Sequence, residues 1–232
     1  MPASSGTPWS LDGVSMQRHR PEPNHATLGC LAIGPTDAIL GVLDGSTLSL
    51  RSPTETDRTT LNTAGELIAR VPDLLAVVSH YVGAIGLLAI DDDDYDQSHS
   101  APELGTTILV SVPEGRRLAP LRVAESVVHE AMHLHLGALE TRVPLVGTTG
   151  LLYSPWRAAM RPAGGVLHGL YVFACLRQFF LRIAACRQAP AEEIAYAARR
   201  VLQIEAEIEA VDLSELTGHM TPDGARLVET LV

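Results

Sequence analysis

Two kinds of apolar pattern run along the chain. Between residues 60 and 88, Leu61, Leu67, Ile68, Leu74, Leu75, Val78 and Tyr81 recur at spacings of three and four. That is the period of a helix with one buried face. Pro72 falls inside this stretch and predicts the start of a second helix, since proline suits a first turn and not a helix interior. Residues 121–139 and 166–187 also read as helices, and Pro190 is placed to open a further one reaching residue 211. In that last helix Ile204, Ile208 and Val211 mark the buried stripe, and Glu205, Glu207 and Glu209 the wet side. The second pattern is short apolar runs broken by Gly and Asp between residues 28 and 50, which read as strands or short turns. Residues 106–112, Thr-Thr-Ile-Leu-Val-Ser-Val, are rich in β-branched side chains and closed by Pro113; they read as a strand, with an edge position open. Residues 141–162 carry Pro144, Gly147, Gly150, Pro155 and Pro162 and read as a long loop. The expected fold class is α+β, with a small N-terminal sheet and a mainly helical C-terminal half. Residues 1–27, polar and interrupted by four prolines, read as an arm ahead of a single domain over 28–232.

Composition narrows the function classes. Of the residues, 46% are hydrophobic, enough for a full core in 232 residues, so a wholly disordered chain is excluded. The net charge of -10 argues against general nucleic-acid binding. All 17 basic residues are arginine, which removes a lysine nucleophile, a Schiff base and a P-loop. Cys30, Cys175 and Cys186 are odd in number and lack a C-x-x-C spacing, so they read as free thiols of a reducing cytoplasm. No basic segment followed by an apolar one opens the chain, so no signal peptide is expected. The long apolar window over residues 163–186 contains His168, Arg177 and Arg182, and reads as a buried helix before a membrane span. The acid run over residues 91–94 lacks the alternation and glycine of an EF-hand loop and reads as a solvated loop.

The chemistry lies in His129-Glu130-x-x-His133. Residues i and i+4 share one helix face, so both imidazoles can reach one metal ion. Glu130 lies beside that face, where it can touch a metal-bound water or orient a ligand. Glu125, one turn earlier, could accept a hydrogen bond from a ring N–H, and otherwise reads as a solvated carboxylate. His135 points to another side of the helix and reads as structural. Two neutral imidazoles need a third partner. The extension with Gly at 136 and His at 139 is absent, since both positions are Leu, and no Asp or Glu occurs between Glu140 and Glu192. Within that interval the metal-binding side chains are His168, Tyr153, Tyr171, Cys175 and Cys186, of which His168, flanked by glycines at the start of an apolar helix, is the candidate third ligand. The same interval holds six arginines. Arg157 and Arg161 sit in a proline-flanked segment and are candidates to grip an anionic co-substrate through its carboxylate.

The runs SHSAPELGTTILVSV (98–112), VVHEAMH and YSPWRAAMRPAGGVLHGLYVF (153–173) together resemble the HExxH-motif peptide-modification proteins found beside genes for ribosomally made peptide natural products. The resemblance covers the middle third of the chain. It implies a bacterial iron(II)- and 2-oxoglutarate-dependent dioxygenase that hydroxylates the β-carbon of a residue in a precursor peptide. It places iron on His129, His133 and His168, sets Glu130 beside the metal as a catalytic residue, and makes Arg157 or Arg161 the 2-oxoglutarate ligand. Dioxygen and the precursor peptide would be the other partners, with no nucleic acid and no membrane. The alternative is a zinc metallopeptidase on the same ligands, with Glu130 as general base. A third reading is a binder that keeps the fold without the activity.

Overall fold

The structure is a computed structural model and describes residues 28–89, 96–113, 115–116 and 118–232. The N-terminal arm and the acid run over 91–94 lie outside those residues. The fold is mixed α+β with a small sheet and a larger helical part.

Five short strands form the sheet: β1 (Ala32–Ile33), β2 (Ser49–Arg51), β3 (Ala84–Ala89), β4 (Ser98–His99) and β5 (Thr107–Ser111). The order runs β1-β3-β5-β4. β3 and β5 pair in parallel, with Ile85 opposite Ile108 and Leu87 opposite Val110. β1 and β2 divide the other edge of β3, β1 parallel against Ile85 and Gly86, β2 antiparallel against the residues from Leu87 to Ala89. The inner strands are covered on both faces. Ile85, Leu87, Ile108 and Val110 join the main core, whereas Leu88 and Leu109 join a smaller cluster with Ile39 and Leu43. Two-sided burial is why the strands read as unbroken apolar runs. It is also why the helical period over 60–88 overran: the helix ends at Tyr81, and Ala84–Ala89 is strand β3. The run at 106–112 is β5, an inner strand, since β4 pairs with its far side.

α1 (Asp37–Val42) is a short helix inside the stretch 28–50 that reads as strands or short turns, begun by the Thr36 cap, whereas α2 (Glu55–Ala69) and α3 (Pro72–Tyr81) follow the predicted break at Pro72. α2 begins at a capping box in which Thr54 and Asp57 satisfy each other's backbone N–H. α3 begins with Pro72 in its first turn. The long α4 (Ala119–Glu140) runs through the middle of the molecule, packing on α2, α3 and β5 and, on another side, on α5 (Ala163–Ala184). α5 is long and apolar enough to cross a bilayer by length and composition, and 61% of its most apolar window is buried inside the fold. α6 (Ala191–Glu209) covers α5, and α7 (Leu213–Gly218) and α8 (Pro222–Leu231) close the end.

The segment 141–162 is not all loop. It contains a two-stranded hairpin, β6 (Leu151–Ser154) and β7 (Ala159–Pro162), with Tyr153 opposite Met160. The turn is made by Pro155, Trp156, Arg157 and Ala158, the last at φ 48°. Leu152 and Ser154 face inward, whereas Leu151, Tyr153 and Met160 are exposed. The preceding stretch is tied to the C-terminal helices: Thr221 N–H donates to Leu145 O and Gly147 N–H to His219 O. Apolar residues on the outside and turn formers at both ends hid this hairpin from a pattern reading.

Candidate metal centre

Helix α4 holds His129, Glu130 and His133 on the wall of a cavity of about 1040 Å³. The opposite wall is the start of α5 with His168 and Phe173, and the rim is the hairpin turn with Trp156 and Arg157. β4 and the residues after it form a third wall, and Glu140 stands at the far end of α4.

His129 Nε2 and His133 Nε2 lie 3.2 Å apart. Two nitrogens bound to one ion at about 2.0–2.1 Å stand about 2.8–3.4 Å from each other between octahedral and tetrahedral geometry, so this pair fits a shared metal. Burial pushes both rings down to about 4, with Arg157 adding to each and the neighbouring imidazole adding for His133. They are therefore neutral at pH 7, with lone pairs for a ligand. His168 comes up beside them from α5. Its ring lies nearly parallel to His133 at 5.5 Å, with Nδ1 facing His133 Nδ1 at 3.2 Å and Nε2 on Glu140 Oε2 at 2.8 Å. The third imidazole is thus adjacent to the pair but turned along a row. Among the described residues no three His, Cys, Asp or Glu side chains converge on one point as they stand.

Glu130 is only 4% exposed. Its carboxylate accepts from Ser98 Oγ at 2.6 Å and Ser100 Oγ at 2.5 Å, one hydroxyl per oxygen. It clamps β4 and the following residue to α4, which is what the Ser-His-Ser run supplies. Glu125 does not reach His129. It accepts from Arg200 at 2.5 and 3.0 Å and from Tyr196 at 3.0 Å, so it is neither a ring partner nor a solvated carboxylate but an anchor for α6. Burial raises its carboxyl above the usual range, against the pull of Arg200. His135 donates to or accepts from Tyr171 at 2.8 Å and packs on Tyr81, away from the cavity, as a structural residue should.

The structure separates the two candidate arginines. Arg157 lines the cavity and carries no ion pair to a described acid. Arg161 lies on β7 opposite Leu152, exposed and outside the cavity lining. The motif around Arg157 is explained by packing. The Trp156 indole stacks on Phe173 at 5.2 Å and 6°, and Phe173 meets His129 edge-on at 5.7 Å. Trp156 also covers Gly169, where a Cβ would stand 2.5 Å from its Cε3. Trp156 and Gly169, both in the run over 153–173, are therefore joined in a single contact. Sequence reading missed three site residues: Ser98, Ser100 and Glu140. The serines stood in the quoted run, but only the fold brings β4 against α4. Glu140 was visible only as the last acid before a long acid-free stretch.

No protein-family model and no curated protein matches this chain.

Proposed function

We propose that this protein is an iron(II)- and 2-oxoglutarate-dependent hydroxylase acting on the β-carbon of a residue in a ribosomally made precursor peptide. The reading rests on Arg157, a guanidinium without a carboxylate partner among the described residues, on the same cavity as the paired imidazoles of His129 and His133. Iron(II) would be held by His129, His133 and His168. When bound with 2-oxoglutarate and dioxygen, it supplies the oxidising power to hydroxylate an unactivated C–H bond. Three neutral ligands leave the charge of the ion uncompensated, and Arg157 adds another positive charge. That combination suits a dianionic keto acid, whose far carboxylate Arg157 can hold through its planar fork. The cavity sits at the upper end of small-molecule sites and has room for a peptide side chain beside the co-substrate.

Glu130 also favours this reading over the zinc peptidase. A general base must be free to take a proton from water. Both oxygens of Glu130 are engaged by serine hydroxyls in a buried position. Its role here is to hold the cavity wall and the ligand helix together. The test is aerobic incubation of the protein with iron(II), 2-oxoglutarate and a panel of synthetic precursor-type peptides. Succinate and a peptide heavier by one oxygen atom are expected. Zinc-dependent cleavage of the peptide without succinate would replace this reading with the peptidase.

A further inference from the structure

A second cavity, of about 720 Å³, lies between α4 and α6 and adjoins the larger one. Asp96, Ser98 and His129 line both, so His129 stands at the junction. The second cavity is lined by charge. Arg122 holds Asp96 at 2.6 Å and Arg200 holds Glu125 at 2.5 Å, and these two pairs cancel. Arg199, the neighbour of Arg200 on α6, lines the same cavity, is exposed, and has no acid partner among the described residues. The lining therefore carries a positive charge to spare, in a chain of net charge -10. β4 borders both cavities through Ser98 and comes last in the sheet order, with no strand on its outer side among the described residues. An extended chain can lie along such an edge through main-chain hydrogen bonds.

We propose that the second cavity is a subsite for the peptide substrate: it takes an acidic side chain near the reacting residue and pairs it with Arg199. This rests on the reading that a peptide reacts in the larger cavity, beside His129 and Arg157. Adjoining cavities of these volumes have centres on the order of 10 Å apart, and an extended peptide advances about 3.3 Å per residue. The acidic residue is then roughly two to four positions from the one that reacts. The two ion pairs are fixed walls, and Arg199 is the specificity-determining residue. Its planar fork matches a carboxylate, and its charge repels a basic side chain. Arg157 and Arg199 thus divide the work on either side of His129, the first holding the small dicarboxylate and the second selecting the peptide.

The test is an NMR titration of the full chain without metal. Affinities are read from the backbone amides of α4 and α6, and contact from the arginine Nε–H signal that Arg199→Ala removes. The probes are three blocked alanine peptides that differ at one central position, glutamate, glutamine or lysine, and free glutarate, which has the carboxylate without the peptide chain. The glutamate peptide should move the Arg199 signal and bind roughly three- to tenfold tighter than the glutamine peptide, with the lysine peptide weakest and glutarate weaker than the glutamate peptide. Arg199→Ala should bind the glutamate and glutamine peptides alike, and Arg199→Glu should prefer lysine, both with an unchanged thermal midpoint. Equal binding of the glutamate and glutamine peptides to wild type, or no shift with any peptide at millimolar concentration, overturns the subsite. Glutarate bound as tightly as the glutamate peptide overturns it too, since the cavity would then be a small-acid site. The hydroxylase reading fails separately. Succinate formed with peptides that show no such preference sinks the subsite alone, whereas an Arg199-dependent preference without succinate in the aerobic incubation sinks the hydroxylase and leaves a cleft for acidic peptides.

Discussion

Gly169→Ala adds one methyl group inside a helix, a change that ordinarily stabilises. At an unstrained interior position glycine costs about 0.5–1 kcal/mol relative to alanine. Here the new Cβ would stand 2.5 Å from Cε3 and 2.6 Å from Cζ3 of Trp156. A rigid indole has no flexible end to yield, so the ring must shift and lose its 5.2 Å stack on Phe173. Overpacking of this kind costs about 1–3 kcal/mol, and a lost aromatic pair contributes about 0.5–1.5 kcal/mol within it. At roughly 2–4 °C per kcal/mol for a chain of this size, the melting midpoint falls by about 2–12 °C. The decisive assay is a double-mutant cycle with Trp156→Ala. With the indole gone, the same Gly169→Ala change should be neutral or stabilising by up to about 1 kcal/mol, so the coupling is about 1–4 kcal/mol. Because the indole neighbours Arg157, Gly169→Ala should also raise the KM for 2-oxoglutarate. Equal effects of Gly169→Ala in both backgrounds would refute the contact as the reason for glycine there.

Gly137→Ala on α4 has the opposite sign. Nothing lies within 4 Å of its Cβ position, so the midpoint should rise, for a gain of about 0.4–1 kcal/mol by calorimetry. Arg157→Ala should raise the KM for 2-oxoglutarate by roughly 10–100-fold, since ~1.4 kcal/mol is tenfold, whereas Arg161→Ala should leave it unchanged; the reverse pattern would move the co-substrate site. Asp57 is buried, and although burial raises its carboxyl, its bonds from Arg51 and from Thr54 outweigh this and hold it below the ordinary value. A depressed carboxyl contributes stability above its unfolded pKa of about 3.9 that is lost as pH falls through the lower folded value. Asp57→Ala should cost about 2–4 kcal/mol at pH 7 in chemical denaturation and flatten the stability profile below pH 4.

The longer helices α2 to α6 were legible in the sequence because each buries one stripe, and Pro72 and Pro190 mark starts as expected, whereas the short α1 was hidden in a run read as strand or turn and α7 and α8 lie past the last predicted helix. The sheet was legible only as apolar runs. β3 lies buried between the main core and α1, so no alternation told it from the helix before it. The hairpin failed for the converse reason, since Leu151, Tyr153 and Met160 put large apolar groups on its wet face. In the candidate site, the i and i+4 spacing placed His129 and His133 correctly on one face. His168 emerged by elimination, and the fold sets it beside them. Spacing had no means of choosing between Arg157 and Arg161, because a turn residue and a strand residue four positions apart face different surroundings. Nor could it give Glu125 its partners, which come from α6, more than seventy residues on.

The stack of Trp156, Phe173 and His129 makes the molecule its own optical instrument. The chain has two tryptophans, Trp9 and Trp156. Replacing Trp9 with Phe would leave a single emitter with one face on a ring that touches His129 and its backbone next to Arg157. Divalent cobalt or nickel arriving at the imidazoles would quench it by energy transfer over that short path. A dicarboxylate drawn to the neighbouring guanidinium would instead shift the emission colour through the local field. The order in which the two arrive could then be followed in real time, in unlabelled protein, without waiting for turnover.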